Sequence, residues 1–267
     1  MARIRSQISL ACLGPMEPPI FPDALAGQFS AEDHHFHQGY LTEEQADDDA
    51  AEVLGLLELE PGARLLDAGC GDGRLAVRLA ALGYVVVGVD SDPAQLERAH
   101  ARRIVPGARL AWRCADLADL DEPGGFDGVF SWFNSLGFGS GAHHERVLDA
   151  LCAALRPGGT LVIDTLDPEV LSEILASQTE AVLVRVGDDV QSDRSHLDVS
   201  TGRLEVERVA TIEGVTTTRQ LSVHLFTPAQ WAAAFERRGV ELVAATARAG
   251  APHEDSDGEL VVVGRRS

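Results

Sequence analysis

The 267-residue chain contains no lysine; all 22 of its basic residues are arginines. That absence removes several kinds of chemistry. A P-loop for nucleoside triphosphates, a Schiff base to pyridoxal phosphate and a Ser-x-x-Lys pair each need a primary amine. Positive charge is scarce too, because 42 acidic residues leave a formal net charge of −20. Phosphate binding needs a basic stripe to release counterions, so nucleic acid is not an expected partner. Anionic lipid surfaces repel the same charge, so no membrane partner is expected either.

The four cysteines, Cys12, Cys70, Cys114 and Cys152, show no C-x-x-C spacing. They make neither a disulfide framework nor a zinc knuckle, and they suit a reducing cytoplasm. Long apolar runs are missing: nothing approaches the roughly 20 residues that span a bilayer. The short apolar run at 8–14 gives way at once to a proline-rich stretch, so 1–25 reads as a flexible tail rather than a signal peptide. With 45% hydrophobic residues the chain can bury a core. Its length allows one large α/β domain or two small ones.

Beyond the tail, His34 to Tyr40 is a cluster of histidines and aromatics. Thr42 then caps an acid-started helix that runs to Glu58. From Pro61 onward the patterning alternates. Strands are expected at 63–67, 85–90, 108–114, 126–132 and 161–164, and helices at 74–82, 93–103 and 142–155. Such alternation predicts a doubly wound, mainly parallel sheet. The pattern changes after Leu175. Residues 181–186, 204–212 and 215–226 are β-type with no helix among them, which predicts an antiparallel insert. Thr227-Pro228 starts a last helix to Arg238, and two strands at 240–246 and 259–264 form an antiparallel pair closing the sheet.

The most informative segment is Leu65-Leu66-Asp67-Ala68-Gly69-Cys70-Gly71-Asp72-Gly73. A strand running into alternating glycines puts bare backbone at the carboxyl end of the sheet, where doubly wound folds bind ligands. Arg74 stands where a dinucleotide fingerprint has its third glycine. A carboxylate at Asp67 would repel a pyrophosphate and welcome an amino group. Asp90, at the end of the next strand, can accept two ribose hydroxyls. Asp116, after the third strand, can receive an adenine amino group. The alternative is that each acid merely caps the helix that follows it.

Together these segments resemble the class I S-adenosylmethionine-dependent methyltransferases over roughly residues 30–267. The resemblance includes Asp67 to Gly73, Val87-Gly88-Val89-Asp90-Ser91, Ala115-Asp116-Leu117, Phe126-Asp127-Gly128-Val129-Phe130 and Leu155-Arg156-Pro157-Gly158-Gly159-Thr160-Leu161. It implies a Rossmann-like α/β fold with a seven-stranded sheet and S-adenosyl-L-methionine as cofactor. It also implies that Asp67 with Gly69, Cys70 and Gly71 holds the methionine portion, Asp90 with Ser91 the ribose, and Asp116 with Leu117 the adenine. Tyr40 and Phe133 are further cofactor contacts. The segment Asn134-Ser135-Leu136-Gly137-Phe138 and the insert resemble the small-molecule branch, in which inserted strands and an N-terminal lid roof the methyl group. The organisation expected is a tail at 1–25, a lid and helix at 26–60, a cofactor-binding core at 61–175 and 227–267, and a substrate-covering insert at 176–226.

The implied reaction moves a methyl group from a sulfonium to an O, N or C atom of a small molecule, ~10²–10⁴-fold faster where a base takes the acceptor's proton. A neutral imidazole is the base available near pH 7, and His37 and His144 are the candidates. Asn134, Phe138, His143, Arg219 and His224 are the candidate substrate contacts. For Arg219, as for Arg208, binding a substrate carboxylate and facing solvent stay open. A metal held by His34, His37, His143 and His144 lacks any dedicated ligand spacing, so no metal is expected. The rival reading keeps the cofactor but not the transfer, using the site for cyclisation or decarboxylation. A monomer or homodimer is expected.

Overall fold

The computed structural model describes residues 31–39, 41–178, 180–252 and 256–267. The tail at 1–25, with Cys12, and the cofactor contact Tyr40 fall outside them. Five parallel strands follow the expected alternation: β1 (Arg64–Ala68), β2 (Val85–Asp90), β3 (Arg109–Cys114), β4 (Phe126–Ser131) and β5 (Leu155–Leu166). The expected strand at 161–164 is the middle of β5. A second set, β6 (Val182–Val186), β7 (Asp189–Asp198), β8 (Arg203–Ile212) and β9 (Val215–His224), forms a separate antiparallel sheet in sequence order. The chain then returns to the first sheet with β10 (Val240–Thr246) and β11 (Glu259–Arg266). That seven-stranded sheet has the order β10-β11-β5-β4-β1-β2-β3, with β11 antiparallel to both β5 and β10.

Neighbouring residues on the central strands feed opposite cores, as the two-residue period of a strand requires. Leu66, Val129, Ile163 and Val262 pack on one side with α5 (Gly141–Ala154) and α7 (Pro228–Glu236). Leu65, Phe130, Val162 and Val261 pack on the other with α2 (Glu43–Leu57) and α3 (Arg74–Ala81). The helix starts carry the caps the sequence offers. Thr42 accepts from Gln45 N, Asp92 caps α4 (Pro93–Ala101), and Thr227 and Gln230 form a reciprocal capping box.

Three elements differ from the sequence expectation. The histidine cluster contains a short helix, α1 (Ala31–His37), and a further helix, α6 (Pro168–Ser177), crosses the expected core–insert boundary at 175. An Asp167 cap followed by Pro168 is a sequence signal for α6. The polar segment 189–198 is a central strand, β7, because its partners on β6 and β8 supply the pairing that its residues do not favour on their own. No helix among the described residues is long and apolar enough to cross a membrane.

Candidate functional site

The carboxyl ends of β1, β2 and β3 open onto one cavity of about 420 Å³. Chain reversal after β1 is made by three glycines with positive φ, and at two of them the neighbours leave no room for a side chain. A Cβ on Gly69 would lie 2.6 Å from Ser135 Cβ, and one on Gly73 would lie 2.2 Å from the Trp112 ring. At Gly71 a Cβ would meet nothing within 4 Å, so bare backbone fronts the cavity there. Cys70, beside it, lines the cavity with its thiol pushed far up by desolvation, so the sulfur is an unreactive wall.

Asp67, Asp90 and Asp116 line this end of the cavity. Asp67 is 3% exposed, and burial pushes its carboxyl up to about 8 against the pull of Arg74. Asp90, raised mainly by burial, accepts Gly71 N at 2.8 Å on one oxygen and Asp92 N at 2.9 Å on the other. Each of its oxygens keeps a further acceptor position. Asp116 accepts Ala118 N at 2.8 Å, and its two oxygens each lie 2.9 Å from His143 Nε2. Ser91 and Leu117 complete this wall.

The opposite wall is the segment after β4. Phe133 and Asn134 sit consecutively in the left-handed region, at φ 63° and 55°. Two such non-glycine residues cost about 1–3 kcal/mol each, so the surroundings must hold them. Asp164, 1% exposed, accepts Phe133 N at 2.6 Å and Arg248 Nη2 at 2.5 Å. Arg74 and Arg248 both lie over the Phe133 ring, 5.5 and 5.9 Å from its centroid. Arg74 also pairs with buried Asp49 at 2.6 Å.

The cover comes from α1 and the second sheet. Buried Asp33 receives both Arg208 and Arg219, and Arg208 pairs with Asp193 of β7 as well. His35 reaches Asp189 at 2.9 Å, and Thr217 donates to Glu32 at 3.0 Å. On the cavity side of this sheet stand Val206, Arg208, Leu221 and Val223. Phe138 bridges to Val223, and Gly137 O accepts His224 N at 2.7 Å, which sews the β4 segment to the cover.

His144 is 2% exposed and lies in a box formed by Phe226, His224 and Trp231, with centroids 5.0, 5.6 and 6.1 Å away. Both ring nitrogens are buried with no hydrogen-bond partner among the described residues, and burial drives the imidazole down to about 4.

Residues 65–159 match the family model described as Methyltransferase domain. This segment is a methyltransferase domain. The chain is 36% identical over 115 residues to a ubiquinone biosynthesis O-methyltransferase of Xanthomonas campestris, covering 40% of this chain and 44% of that one. It is 34% identical over 143 residues to the 27-O-demethylrifamycin SV methyltransferase of Amycolatopsis mediterranei, covering 48% and 50%. It thus spans about half the length of the curated relatives it matches. The fold is similar to the CcbJ methyltransferase of Streptomyces caelestis, with TM-score 0.70, 23% identity, and 86% and 94% of the chains covered. It is also similar to an S-adenosylmethionine-bound amino pentose methyltransferase of Micromonospora echinaspora, with TM-score 0.61, 25% identity and the same coverage.

Of the residues singled out in the sequence, the methyltransferase domain brings Asp67, Gly69, Cys70, Gly71, Asp90, Ser91, Asp116 and Leu117 to one end of the cavity. His37, Phe133, Asn134, Phe138, His143 and His144 line the rest. Two candidates do not line it. Arg219 is committed to Asp33, and His224 turns its Nε2 to Thr201 O at 3.1 Å while packing on His144. His143 is a partner of Asp116 before it is a substrate contact. His144 lines the cavity, but burial lowers its imidazole to about 4, which makes it a weak base near neutral pH. Among the described residues no three His, Cys, Asp or Glu side chains group to hold a metal. Sequence reasoning missed Arg74, Asp164 and Ser135. Arg74 was visible only as the residue in place of a third glycine, and nothing local marks Asp164.

Proposed function

We propose that the protein transfers a methyl group from S-adenosyl-L-methionine to an O, N or C atom of a small molecule. The observation that carries this reading is the set of three carboxylates, Asp67, Asp90 and Asp116, around one cavity beside the open backbone at Gly71. An acidic cradle suits a nucleoside that carries an amino group and a sulfonium, and repels a dinucleotide's pyrophosphate. When bound, this donor supplies an activated methyl on a cationic sulfur.

The remaining work belongs to the chain. Asp67 would pair with the donor's amino group, Asp90 would accept the ribose hydroxyls through its spare acceptor positions, and Asp116, steadied by His143, would accept from the adenine amine. Phe133, Leu136 and Phe138 from the β4 segment, with Val206, Leu221 and Val223 from the cover, exclude water from the transfer. Alignment inside this closed space is the main contribution such a site makes. His37 is the remaining candidate base: its Nδ1 lies 2.6 Å from Asp33 O, which favours the tautomer with Nε2 as acceptor. The rifamycin and amino pentose methyltransferases it resembles act on specialised metabolites, which supports hydroxyl- or amine-bearing acceptors of that kind.

Calorimetry with S-adenosylhomocysteine and with NAD tests the donor assignment. Binding of the first alone is expected, and binding of NAD alone overturns it. Incubation with methyl-labelled donor and a panel of hydroxylated and aminated metabolites then tests transfer. Donor binding with no label moved across the panel points to a non-methylating use of the site.

A further inference from the structure

Asp164 lies outside the cavity, yet it touches the segment that faces both ends of it. Its carboxylate fixes Phe133 N at the first of two left-handed residues, and Arg248 holds the carboxylate in turn. Two residues later, Ser135 meets the glycine loop. Its hydroxyl lies 3.2 Å from Gly69 O and 2.9 Å from Trp132 O, and its Cβ occupies the space beside the bare Gly69 Cα. Arg74, which opens α3 directly after the glycine loop, and Arg248 both lie over the Phe133 ring. A buried acid on β5 thus reaches the donor loop through one short turn.

We infer that Asp164 is a positioning residue: it sets the 132–135 turn, and through Ser135 that turn holds the Gly69–Gly73 loop in its donor-binding shape. This rests on the donor assignment proposed above. The coupling runs along a chain of contacts, so its two links act as one. The carboxylate is needed because Phe133 N and Arg248 Nη2 both donate to Oδ2 and Arg248 Nε lies 3.3 Å from Oδ1. An amide would set its NH₂ group against Arg248 in either orientation, and against Phe133 N as well in one of them.

The test combines Asp164→Asn, Ser135→Ala and the double variant. Each single change is expected to weaken S-adenosylhomocysteine binding by about 3–10-fold in calorimetry, with the double variant no weaker than Asp164→Asn alone. Losses that multiply in the double variant would mean two independent contacts and overturn the inference. Hydrogen exchange on the unliganded proteins gives a readout that needs no donor. Asp164→Asn is expected to speed exchange both at 133–137 and at 69–73, whereas Ser135→Ala speeds it at 69–73. Unchanged exchange at 69–73 in Asp164→Asn also sinks the coupling. If the wild-type chain binds no S-adenosylhomocysteine, the donor assignment fails and the exchange result alone decides the coupling.

Discussion

His143 Nε2 lies 2.9 Å from each oxygen of the Asp116 carboxylate, and the imidazole is buried beneath it. The pair fixes the carboxylate at the end of the cavity where the proposed donor would put its adenine amine. His143→Leu is therefore expected to weaken S-adenosylhomocysteine binding by roughly 1–2 kcal/mol. Calorimetry checks it, and an unaltered Kd accompanied by a raised acceptor KM would return His143 to the substrate side.

Asp67 gives donor binding a pH dependence. With its carboxyl pushed up to about 8, the unliganded protein holds a proton there at neutral pH. An ammonium ligand favours the ionised form, so binding releases that proton. Affinity for S-adenosylhomocysteine is expected to rise up to about tenfold per pH unit between pH 6 and 8, then level off. Calorimetry in two buffers of different ionisation heat measures the proton released, and Asp67→Asn should abolish both the release and the slope.

His144 is a stability group. Its folded value of about 4 lies below the ordinary histidine value of 6.5, so the unfolded chain binds a proton that the folded chain refuses. Stability then falls as pH drops from 6.5 toward 4, by roughly 3 kcal/mol when complete. The apolar variant His144→Leu should flatten that part of the Tm-against-pH curve. An identical acid slope in both proteins would exclude His144 as its source.

Removing Asp33 leaves two arginines facing a buried gap. Asp33→Ala is expected to cost about 3–5 kcal/mol in urea unfolding, tempered by Asp193, which still holds Arg208. Limited proteolysis should cut near α1 faster than in the parent. Unchanged midpoint and cleavage would show that α1 is held by apolar contacts such as buried Phe36 instead.

The grouping of Asp67, Asp90 and Asp116 at one end of the cavity was legible in the sequence because it follows from local strand ends. Asp67 stands two residues before the first glycine, and Asp90 closes the strand that pairs with β1. The cover was not legible, because Asp33 meets Arg208 and Arg219 across 175 and 186 positions. For Arg219 the sequence left a substrate carboxylate and solvent both open, and the structure gives it Asp33 instead. The burial of His144 was not legible for a related reason: a histidine after a loop shows nothing of Phe226 and Trp231, which pack on it from much later in the chain. Asp164 was invisible because its role depends on the backbone angle of Phe133, which no residue pattern states.

The bolt at Asp33 has an evolutionary side. The family match ends at residue 159, while α1 and the second sheet both lie beyond its limits. One buried carboxylate ties these two distant stretches into a single cassette seated over the proposed donor site, which can stay constant. Retargeting such an enzyme to a new acceptor would mean exchanging 31–39 and 180–226 together. A swap of either stretch alone would strand the other's charges.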